Sequence, residues 1–528
     1  MGQALVRSVL AGAAGLSQAL ALADPWTGRA HGWLQLLGLA LLAVLLLPDR
    51  RRPAARPARR GFGLGAVFAT CWLVGTFWWL FISMHTYGGL VAPLAGAAVL
   101  ALAGFLGLYY ALAAAAFAHL AAQDDMARRP LRLAGLFAAL WTLAELARGR
   151  WLTGFPWGAG GYAHVDSWLA AAAPWVGVYG MGFAAAWLAL LLGWALAALA
   201  RQLPPAHAVS VLTALLLTGA LLGWTGTQRL GTASDAGTTG PVLGVALLQG
   251  NIPQDEKFIP GTGVDDALLW YGQQWQASRA SLVVAPETAL PLLPRQLPDG
   301  YWDALAARYA EGGQATLFGV PLGDVDAGYT NAVVGLAPGQ SQPYRYDKHH
   351  LVPFGEFIPP LFRWFVNLMD IPLGDFDRGG LAQPSFDWQG QRLAPNICYE
   401  DLFGEELARR FVDVERAPTA FVNLSNIAWF GDGVAIDQHL AISRLRALEF
   451  ARPMLRATNT GATAIIDHRG RVTHQLPRAT RGVLHGWFEG RDAHITAYAR
   501  WAGRWGLWPL GLLCVLIATG CAALMPRR

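Results

Sequence analysis

The sequence predicts a polytopic α-helical membrane domain joined to a layered α/β domain. Two observations support this prediction. Hydrophobic residues make up 54% of the 528 residues and charged residues only 14%, whereas about a quarter of the residues of a soluble domain are charged. From residue 241 onward, short apolar runs alternate with helical patterns, which is typical of an α/β fold. The chain is long enough for two or more domains with separate cores.

Eight apolar stretches are candidate transmembrane helices, because a helix of about 20 apolar residues crosses a bilayer. Seven precede the α/β domain and one follows it, at residues 7–23, 31–48, 61–83, 88–119, 131–148, 168–200, 208–225 and 503–524. The first is short and is interpreted as a retained anchor rather than a cleaved signal. The membrane domain is therefore predicted over residues 1–226, with an eighth helix at 503–524.

Arginine placement predicts the orientation of these helices. Arginines follow the second, fourth and sixth stretches and end the chain: Arg50, Arg51, Arg52, Arg56, Arg59, Arg60, Arg128, Arg129, Arg132, Arg201, Arg527 and Arg528. With eight spans all of them lie on one side, and the intervening loops are poor in positive charge apart from Arg148 and Arg150 near the fifth span. Both termini are therefore predicted to be cytoplasmic and residues 226–502 to face outward. Nucleic-acid binding is not expected, because the net charge of +5 comes from short loops.

The outward domain is built from apolar runs that are typical of strands buried on both faces. These runs lie at residues 242–248, 281–285, 315–320, 331–336, 393–398, 419–424 and 462–466. Helical patterns lie between several of them, at residues 264–280, 301–311 and 437–450. Chemistry in such folds usually sits at the ends of strands.

Cys398 ends one of these runs and is the candidate nucleophile. The other cysteines, Cys71, Cys514 and Cys521, fall in apolar spans, so Cys398 has no partner for a disulfide within the outward domain. A cysteine attacks as the thiolate and needs a base or a lowered pKa. Glu287, at the end of a predicted strand, is the candidate base, because desolvation raises the pKa of a carboxyl group towards neutrality.

Lys348 is the candidate cation that stabilises the oxyanion of a tetrahedral intermediate. Glu356, eight residues further on, could hold Lys348 or bond Glu287, and Tyr399 and Glu400 could orient the nucleophile. Each residue alone has an ordinary alternative, since a lone buried cysteine usually acts as a small hydrophobe. Their common arrangement at strand ends favours a reactive site.

A metal site is not predicted, although His349 and His350 are adjacent. Adjacent residues of a strand point to opposite faces, and the sequence has no other His or Cys at ligand spacing. The prediction is therefore an enzyme without metal or cofactor.

Glu287, the stretch Tyr346–Glu356 and Cys398-Tyr399-Glu400 resemble the Glu-Lys-Cys triad of the carbon–nitrogen hydrolase (nitrilase) superfamily. This resemblance covers roughly residues 241–490 and implies an α-β-β-α sandwich. Together with seven predicted spans before this domain and one after it, the whole chain resembles the bacterial apolipoprotein N-acyltransferases. Residues 154–157 and 425–431 also resemble stretches of that family, except that Ile427 stands where the family commonly has aspartate.

The resemblance implies a two-step acyl transfer in the bacterial inner membrane, with the catalytic domain on the periplasmic side. The Cys398 thiolate would take an acyl chain from a membrane phospholipid as a thioester. The α-amino group of a diacylglyceryl-modified N-terminal cysteine of an apolipoprotein would then accept that chain. Such a route predicts ping-pong kinetics, and a thioester can persist where water is excluded.

Lipid substrates require a site that opens at the membrane. Residues 357–369, which include Phe357 and Trp364, are too apolar for an exposed loop and are predicted to form an arm at the interface or over the cleft. Packing of this stretch against the domain core is the alternative. Trp429 and Phe430 are expected to line the same cleft.

Two other functions are consistent with parts of this sequence pattern. A membrane-tethered amidase or nitrilase would use the same three residues on a small substrate, with water as the second nucleophile, but seven spans are excessive for a tether. A transporter or sensor would need charged residues inside its spans, and Glu145 is the only clear acid there.

Overall fold

The computed structural model describes residues 2–48, 55–123, 129–200, 219, 241–359, 375–492 and 494–523. Contacts divide the chain into two compact units. The helical unit comprises Met1–Trp78, Pro93–Ser234 and Trp505–Arg528, and the two-sheet unit comprises Trp79–Ala92 and Asp235–Arg504. The two-sheet unit therefore includes a short stretch that precedes most of the helical unit in sequence.

The apolar stretches at the start of the chain form long helices, as predicted. They are α1 Gly2–Leu22, α2 Gly32–Leu46, α3 Pro57–Phe77, a single turn α4 Leu80–Ile82, α5 Ala92–Ala121, α6 Pro130–Arg150 and α7 Ala173–Ala200. Among the described residues, five helices are long and apolar enough to cross a membrane, or six if the bent helix pair near the C-terminus counts as one span. The predicted seventh span, 208–225, lies outside the described residues, and α2 is shorter than predicted.

Small residues allow the helices of the helical unit to pack closely. A Cβ atom on Gly15 of α1 would lie 2.1 Å from the Phe68 carbonyl oxygen of α3, so only glycine permits this approach. An aromatic cluster fills the next layer, with the Trp72 ring 4.9 Å from Tyr110 and 6.1 Å from Trp141. Close backbone contact through small residues is the usual way in which membrane helices associate.

Two charged side chains near the end of α6 hold the loop that follows it. The Arg148 guanidinium donates hydrogen bonds of 2.7 Å to the carbonyls of Phe155 and Trp157. The Glu145 carboxylate accepts one of 2.8 Å from the backbone N–H of Gly160. Both charges are buried and satisfy backbone groups that the helix break leaves open.

The two-sheet unit contains twelve strands in its described residues. They are β1 Leu243–Gln249, β2 Leu282–Val284, β3 Ala315–Asp324, β4 Gly328–Leu336, β5 Tyr344–Asp347, β6 Phe386–Trp388, β7 Gln391–Ile397, β8 Ala420–Ser425, β9 Met454–Thr458, β10 Ala464–Ile466, β11 Val472–Gln475 and β12 Gly482–Phe488. The first sheet has the order β12-β1-β2-β3-β4-β5 and the second β11-β10-β9-β8-β7-β6. In each sheet, three consecutive strands, β1–β3 and β7–β9, are parallel.

Helices cover the outer faces of both sheets. The further α-helices among the described residues are α8 Gly263–Ala277, α9 Tyr301–Ala310, α10 Gly404–Leu407, α11 Val434–Phe450, α12 Ala497–Trp505 and α13 Trp508–Ala523. One core lies between the sheets, where Leu247 and Val284 belong to the same cluster as Ile397 and Leu455. Outer cores join α8 and α9 to the first sheet and α11 and α12 to the second. The layers are thus helix, sheet, sheet, helix, which confirms the layered α/β prediction.

All seven predicted apolar runs coincide with strands, and five further strands were not predicted. β5, β6 and β11 are short edge strands with mixed burial, so they lack the apolar run that marks a central strand. β9 is fully buried, but Arg456 interrupts its apolar pattern. One premise was wrong: β5 ends at Asp347, so His349 and His350 lie beyond the strand.

Candidate active site

Three loops that follow strands form the site. Glu287 lies three residues beyond β2, while Lys348 and Cys398 directly follow β5 and β7. β5 runs in the same direction as β2, because two antiparallel steps separate it from β3, which is parallel to β2. The structure therefore brings Glu287 and Lys348 together at the carboxyl ends of strands of the first sheet, where ligands usually bind in such sheets.

Lys348 lies between two carboxylates. Its Nζ is 3.1 Å from Glu287 Oε1 and 2.9 Å from Glu356 Oε1, and the lysine is 1% exposed. Burial alone would lower the pKa of Lys348, but the two carboxylates raise it well above its ordinary value. The lysine consequently keeps its positive charge at any physiological pH.

Glu287 has hydrogen-bond donors on both carboxylate oxygens. Oε1 accepts bonds from Lys348 and, at 2.8 Å, from Asn331 Nδ2, and Oε2 accepts one of 2.9 Å from the backbone N–H of Asn426. Burial tends to raise the pKa of Glu287, but Lys348 and these donors outweigh burial, so the pKa lies below its ordinary value. The expected upward shift was therefore wrong in direction: neighbouring positive charge dominates over desolvation.

Asn331 links the two carboxylates and was not identified from the sequence. Its Nδ2 donates to Glu287 Oε1 and, at 2.7 Å, to Glu356 Oε1. The second oxygen of Glu356 accepts a 2.8 Å bond from the Val352 backbone N–H, so this carboxylate is fixed as well. A polar residue within the apolar run 331–336 was the signal that could have identified Asn331.

Cys398 begins a tight turn in an uncommon backbone conformation. Its φ is 51°, in the left-handed region where a residue with a side chain is strained and which is enriched at active sites. Burial and the Glu287 carboxylate raise the pKa of the thiol to about 12, and Lys348 opposes that rise. The resting site therefore holds a protonated thiol beside an ionised carboxylate.

Glu400 connects the loop of the nucleophile to the loop of the lysine. It accepts 2.7 Å hydrogen bonds from the backbone N–H groups of Ile397 and His349, the neighbours of Cys398 and Lys348. It also accepts bonds of 2.8 and 2.9 Å from the Tyr346 hydroxyl. Desolvation raises the pKa of this carboxyl group above its ordinary value. Glu400 thus fixes the spacing of the two loops.

Tyr399 packs within the same turn. The residue is 5% exposed, and its ring lies 5.3 Å from the ring of Phe403 and 5.7 Å from that of His350. These ring contacts are those of a residue that packs within the turn. We propose that Tyr399 orients Cys398 through this packing.

A second buried lysine, Lys257, was also missed. Its Nζ donates a 3.1 Å hydrogen bond to the backbone carbonyl of Glu287, and the residue is 2% exposed. Desolvation lowers the pKa of Lys257 to about 8, against the pull of Glu287 and Cys398. In the sequence, Lys257 follows Asp255 and Glu256, and this polar context is indistinguishable from a solvated turn.

The positive charge of Lys257 should speed the reaction of Cys398 at neutral pH, and this effect should disappear at alkaline pH. Replacement by methionine is expected to slow the reaction of Cys398 about tenfold at pH 7, since one buried charge nearby contributes about 1–2 kcal/mol. At pH 9.5 the wild-type lysine is largely neutral, so the two rates should converge. Alkylation of Cys398, followed by mass spectrometry of its peptide, measures this, with Lys257→Arg as the charged control. A deficit of equal size at both pH values would assign the effect to the lost hydrogen bond instead.

Two of the four predicted substrate-binding residues pack on the stretch that joins α3 to α5. Phe430 lies 4.2 Å from Trp79 and Trp429 lies 5.8 Å from Tyr87, as distances between ring centroids. Trp79 also donates a 3.1 Å hydrogen bond to Gln438 of α11. We call these four rings the aromatic clasp: Trp79, Tyr87, Trp429 and Phe430.

The remaining predicted contacts lie on the stretch after Glu356. The guanidinium of Arg378 lies 5.0 Å from the centre of the Phe357 ring. Trp364 and the rest of the predicted arm from residue 360 onward lie outside the described residues.

Ile427 is completely buried. An apolar side chain therefore occupies a position where the resemblance led us to expect aspartate. The neighbouring contact survives, because the backbone N–H of Asn426 still donates to Glu287. In the described residues no group of three or more His, Cys, Asp or Glu side chains could hold a metal ion.

Comparison with known proteins covers nearly the whole chain. Residues 14–191 match the apolipoprotein N-acyltransferase N-terminal domain, and residues 244–486 match the carbon–nitrogen hydrolase family. Among solved structures, an amidase from Nesterenkonia sp. is 18% identical, with 51% of this chain and 95% of that chain covered and a TM-score of 0.32.

Full-length relatives are much more similar. The apolipoprotein N-acyltransferase of Verminephrobacter eiseniae is 60% identical over 511 residues, which cover 94% of this chain and 92% of that protein. The enzyme of the same name from Ralstonia nicotianae is 46% identical, with 89% and 85% covered. The chain therefore belongs to the apolipoprotein N-acyltransferase family.

Proposed function

We propose that this protein transfers an acyl chain from a membrane phospholipid to the α-amino group of an N-terminal diacylglyceryl-cysteine on apolipoproteins, through a thioester on Cys398. The observation that carries the proposal is the ion-paired group of Glu287, Lys348 and Glu356 beyond the strand ends. Cys398 lies in a strained turn, and the charges of Glu287 and Lys348 act on the pKa of its thiol. Family membership at 60% identity supports the acyl-transfer chemistry.

In the first half-reaction, the sulfur of Cys398 attacks the ester carbonyl of the phospholipid. The resting thiol has a pKa of about 12, so free thiolate is scarce. Proton transfer to Glu287 must therefore accompany formation of the C–S bond. Lys348 stabilises the oxyanion, Glu287 returns the proton to the departing oxygen, and lysophospholipid leaves.

In the second half-reaction, the acceptor amine attacks the thioester carbonyl. Glu287 removes a proton from the amine as the C–N bond forms, and Lys348 again stabilises the oxyanion. The C–S bond then breaks, and the sulfur recovers the proton from Glu287. The product is an amide, and the enzyme returns to its resting state.

The membrane arrangement that we propose has eight spans, both termini in the cytoplasm and the two-sheet unit in the periplasm. The alternating arginine loops support it. So does the position of Trp79–Ala92, which follows α3 and belongs to the two-sheet unit, because it puts the loop after the third span on the catalytic side. Alkaline phosphatase fused after residue 241 should be active, and a fluorescent protein fused after Arg528 should fluoresce. The reverse pattern would overturn this topology.

Intact-mass spectrometry tests the proposed function directly. Purified protein incubated with phospholipid and no acceptor should gain the mass of one acyl group. Neutral hydroxylamine should remove the added mass, and Cys398→Ala should never acquire it. If the folded wild-type protein gains no adduct but hydrolyses small amides, the membrane-tethered amidase becomes the correct assignment.

A further inference from the structure

A buried polar network contacts the backbone of the nucleophile. The backbone carbonyl of Cys398 accepts two side-chain hydrogen bonds, one of 3.2 Å from His439 Nε2 and one of 3.3 Å from Asn423 Nδ2. Both donors are completely buried. They hold the peptide group of a residue whose left-handed φ of 51° is strained.

The bonds of His439 determine where its proton lies. Its Nδ1 is 2.8 Å from a terminal guanidinium nitrogen of Arg456. A guanidinium can only donate, so Nδ1 accepts and the proton of the neutral ring resides on Nε2. That Nε2–H faces two acceptors, the Cys398 carbonyl and Asp401 Oδ1 at 2.9 Å.

The charges around His439 compensate each other. Arg456 lies 3.5 Å from Asp401 Oδ2. The Ser443 hydroxyl bridges the two charges, because it donates a 2.5 Å hydrogen bond to Asp401 and accepts one of 2.6 Å from Arg456. Burial and Arg456 lower the pKa of His439, although Asp401 opposes this. The imidazole is therefore neutral throughout the physiological range.

We propose that His439 is a positioning residue, which fixes the Cys398 backbone through its Nε2–H and takes no proton during catalysis. This inference rests on the proposed function, because it assigns the residue to the thioester chemistry of Cys398. The two nitrogens of the ring are already engaged by Arg456, Asp401 and the Cys398 carbonyl. Its route to the reaction is therefore the orientation of the nucleophile.

A small displacement of Cys398 should be costly. A shift of about 1 Å in a reacting group lowers a rate about 100-fold. Without His439, the carbonyl would keep only the longer bond from Asn423, and the strained turn could relax.

Two amide substitutions separate the two nitrogens of the ring. Glutamine places its amide nitrogen near the position of Nε2, so His439→Gln can still donate to the Cys398 carbonyl and to Asp401. Asparagine places its amide near Nδ1, so His439→Asn can still accept from Arg456 but cannot reach the carbonyl. The two variants differ by one methylene group: asparagine loses the contacts of Nε2 with the carbonyl and Asp401, and glutamine loses the contact of Nδ1 with Arg456.

Two reactions of the full-length protein should be measured, each from pH 6 to pH 9. The first is single-turnover thioester formation with phospholipid, and the second is alkylation of Cys398 by iodoacetamide, quantified on its own peptide. We expect His439→Asn to slow both reactions about 100-fold while its thermal midpoint and phospholipid affinity stay at the wild-type values. We expect the rates of His439→Gln to stay within about threefold of wild type, with an unchanged pH profile.

Either of two results would overturn the proposal. Wild-type rates in His439→Asn would show that the contact does not position Cys398, and an altered pH profile in His439→Gln would assign a proton-transfer role. If His439→Asn does not fold, His439→Gln still decides the question, because a loss of rate well beyond threefold in a variant that keeps the Nε2 contact would refute the positioning role. Alkylation needs no acyl donor, so it tests this inference even if the thioester experiment fails.

Discussion

Lys348→Met is expected to abolish acyl transfer and to destabilise the two-sheet unit. Loss of one oxyanion-stabilising group costs about 10²–10³ in rate. Without the lysine, the carboxylates of Glu287 and Glu356 share Asn331 with no buried cation between them. Removal of one partner from a buried ion pair costs about 3–5 kcal/mol.

The pH dependence of that loss of stability can be worked out from the pKa shifts. In the wild type, the raised pKa of Lys348 stabilises the fold fully below the unfolded pKa of about 10.4, so the contribution is complete at pH 7. In the variant, Glu287 loses the nearby charge that lowers its pKa, which makes the destabilisation largest at neutral pH and smaller near pH 5. Thermal midpoints of both proteins at pH 5 and pH 8 measure this difference.

A double variant separates charge balance from catalysis. The double variant Lys348→Met/Glu356→Gln has only one of the two carboxylates that lost their buried cation. It should recover much of the stability without any recovery of acyl transfer. If the double variant regained activity, Lys348 would be a structural counter-ion and not the cation of the reaction.

Glu287→Gln is expected to slow both half-reactions by about 10²–10⁴, the usual contribution of a general base. The amide keeps the shape of the carboxylate but cannot take the proton of a thiol whose pKa is about 12. Single-turnover formation of the thioester, and its transfer to a diacylglyceryl peptide in a second mixing step, measure the two half-reactions separately. Glu311→Gln, at an exposed glutamate after α9, is the matched control and should react like the wild type.

The pH profile adds an independent check on Glu287. Because Lys348 holds the pKa of Glu287 below its ordinary value, the wild-type rate should not fall until the pH drops below about 4.3, the ordinary value for glutamate. A decline centred near pH 6 would mean that burial controls this carboxyl group instead. Retention of acyl transfer by Glu287→Gln would identify a different base.

The parts of the fold and site that the sequence could predict are those with a local signal. Central strands show as apolar runs because both faces are buried, and the proposed reactive residues sit where those runs or a polar turn end. Asn331 shows only as a polar residue in an apolar run and Lys257 follows two acids, so the partners of both residues depend on the packing of distant loops. The direction of the Glu287 pKa shift is likewise a tertiary property, since it depends on the 3.1 Å approach of Lys348.

The aromatic clasp has a consequence for the order of folding. Trp79 and its partner Gln438 are 359 positions apart in the chain, so the stretch that carries Trp79 is synthesised long before the helix that it contacts. The two-sheet unit can therefore close only after the intervening helices have been inserted and the chain has been made at least to α11. A fragment that starts at residue 241 would lack Trp79 and Tyr87, and with them the ring partners of Phe430 and Trp429. The unit is thus built from two separate parts of the chain, and the earlier part cannot make this contact until α11 has been synthesised.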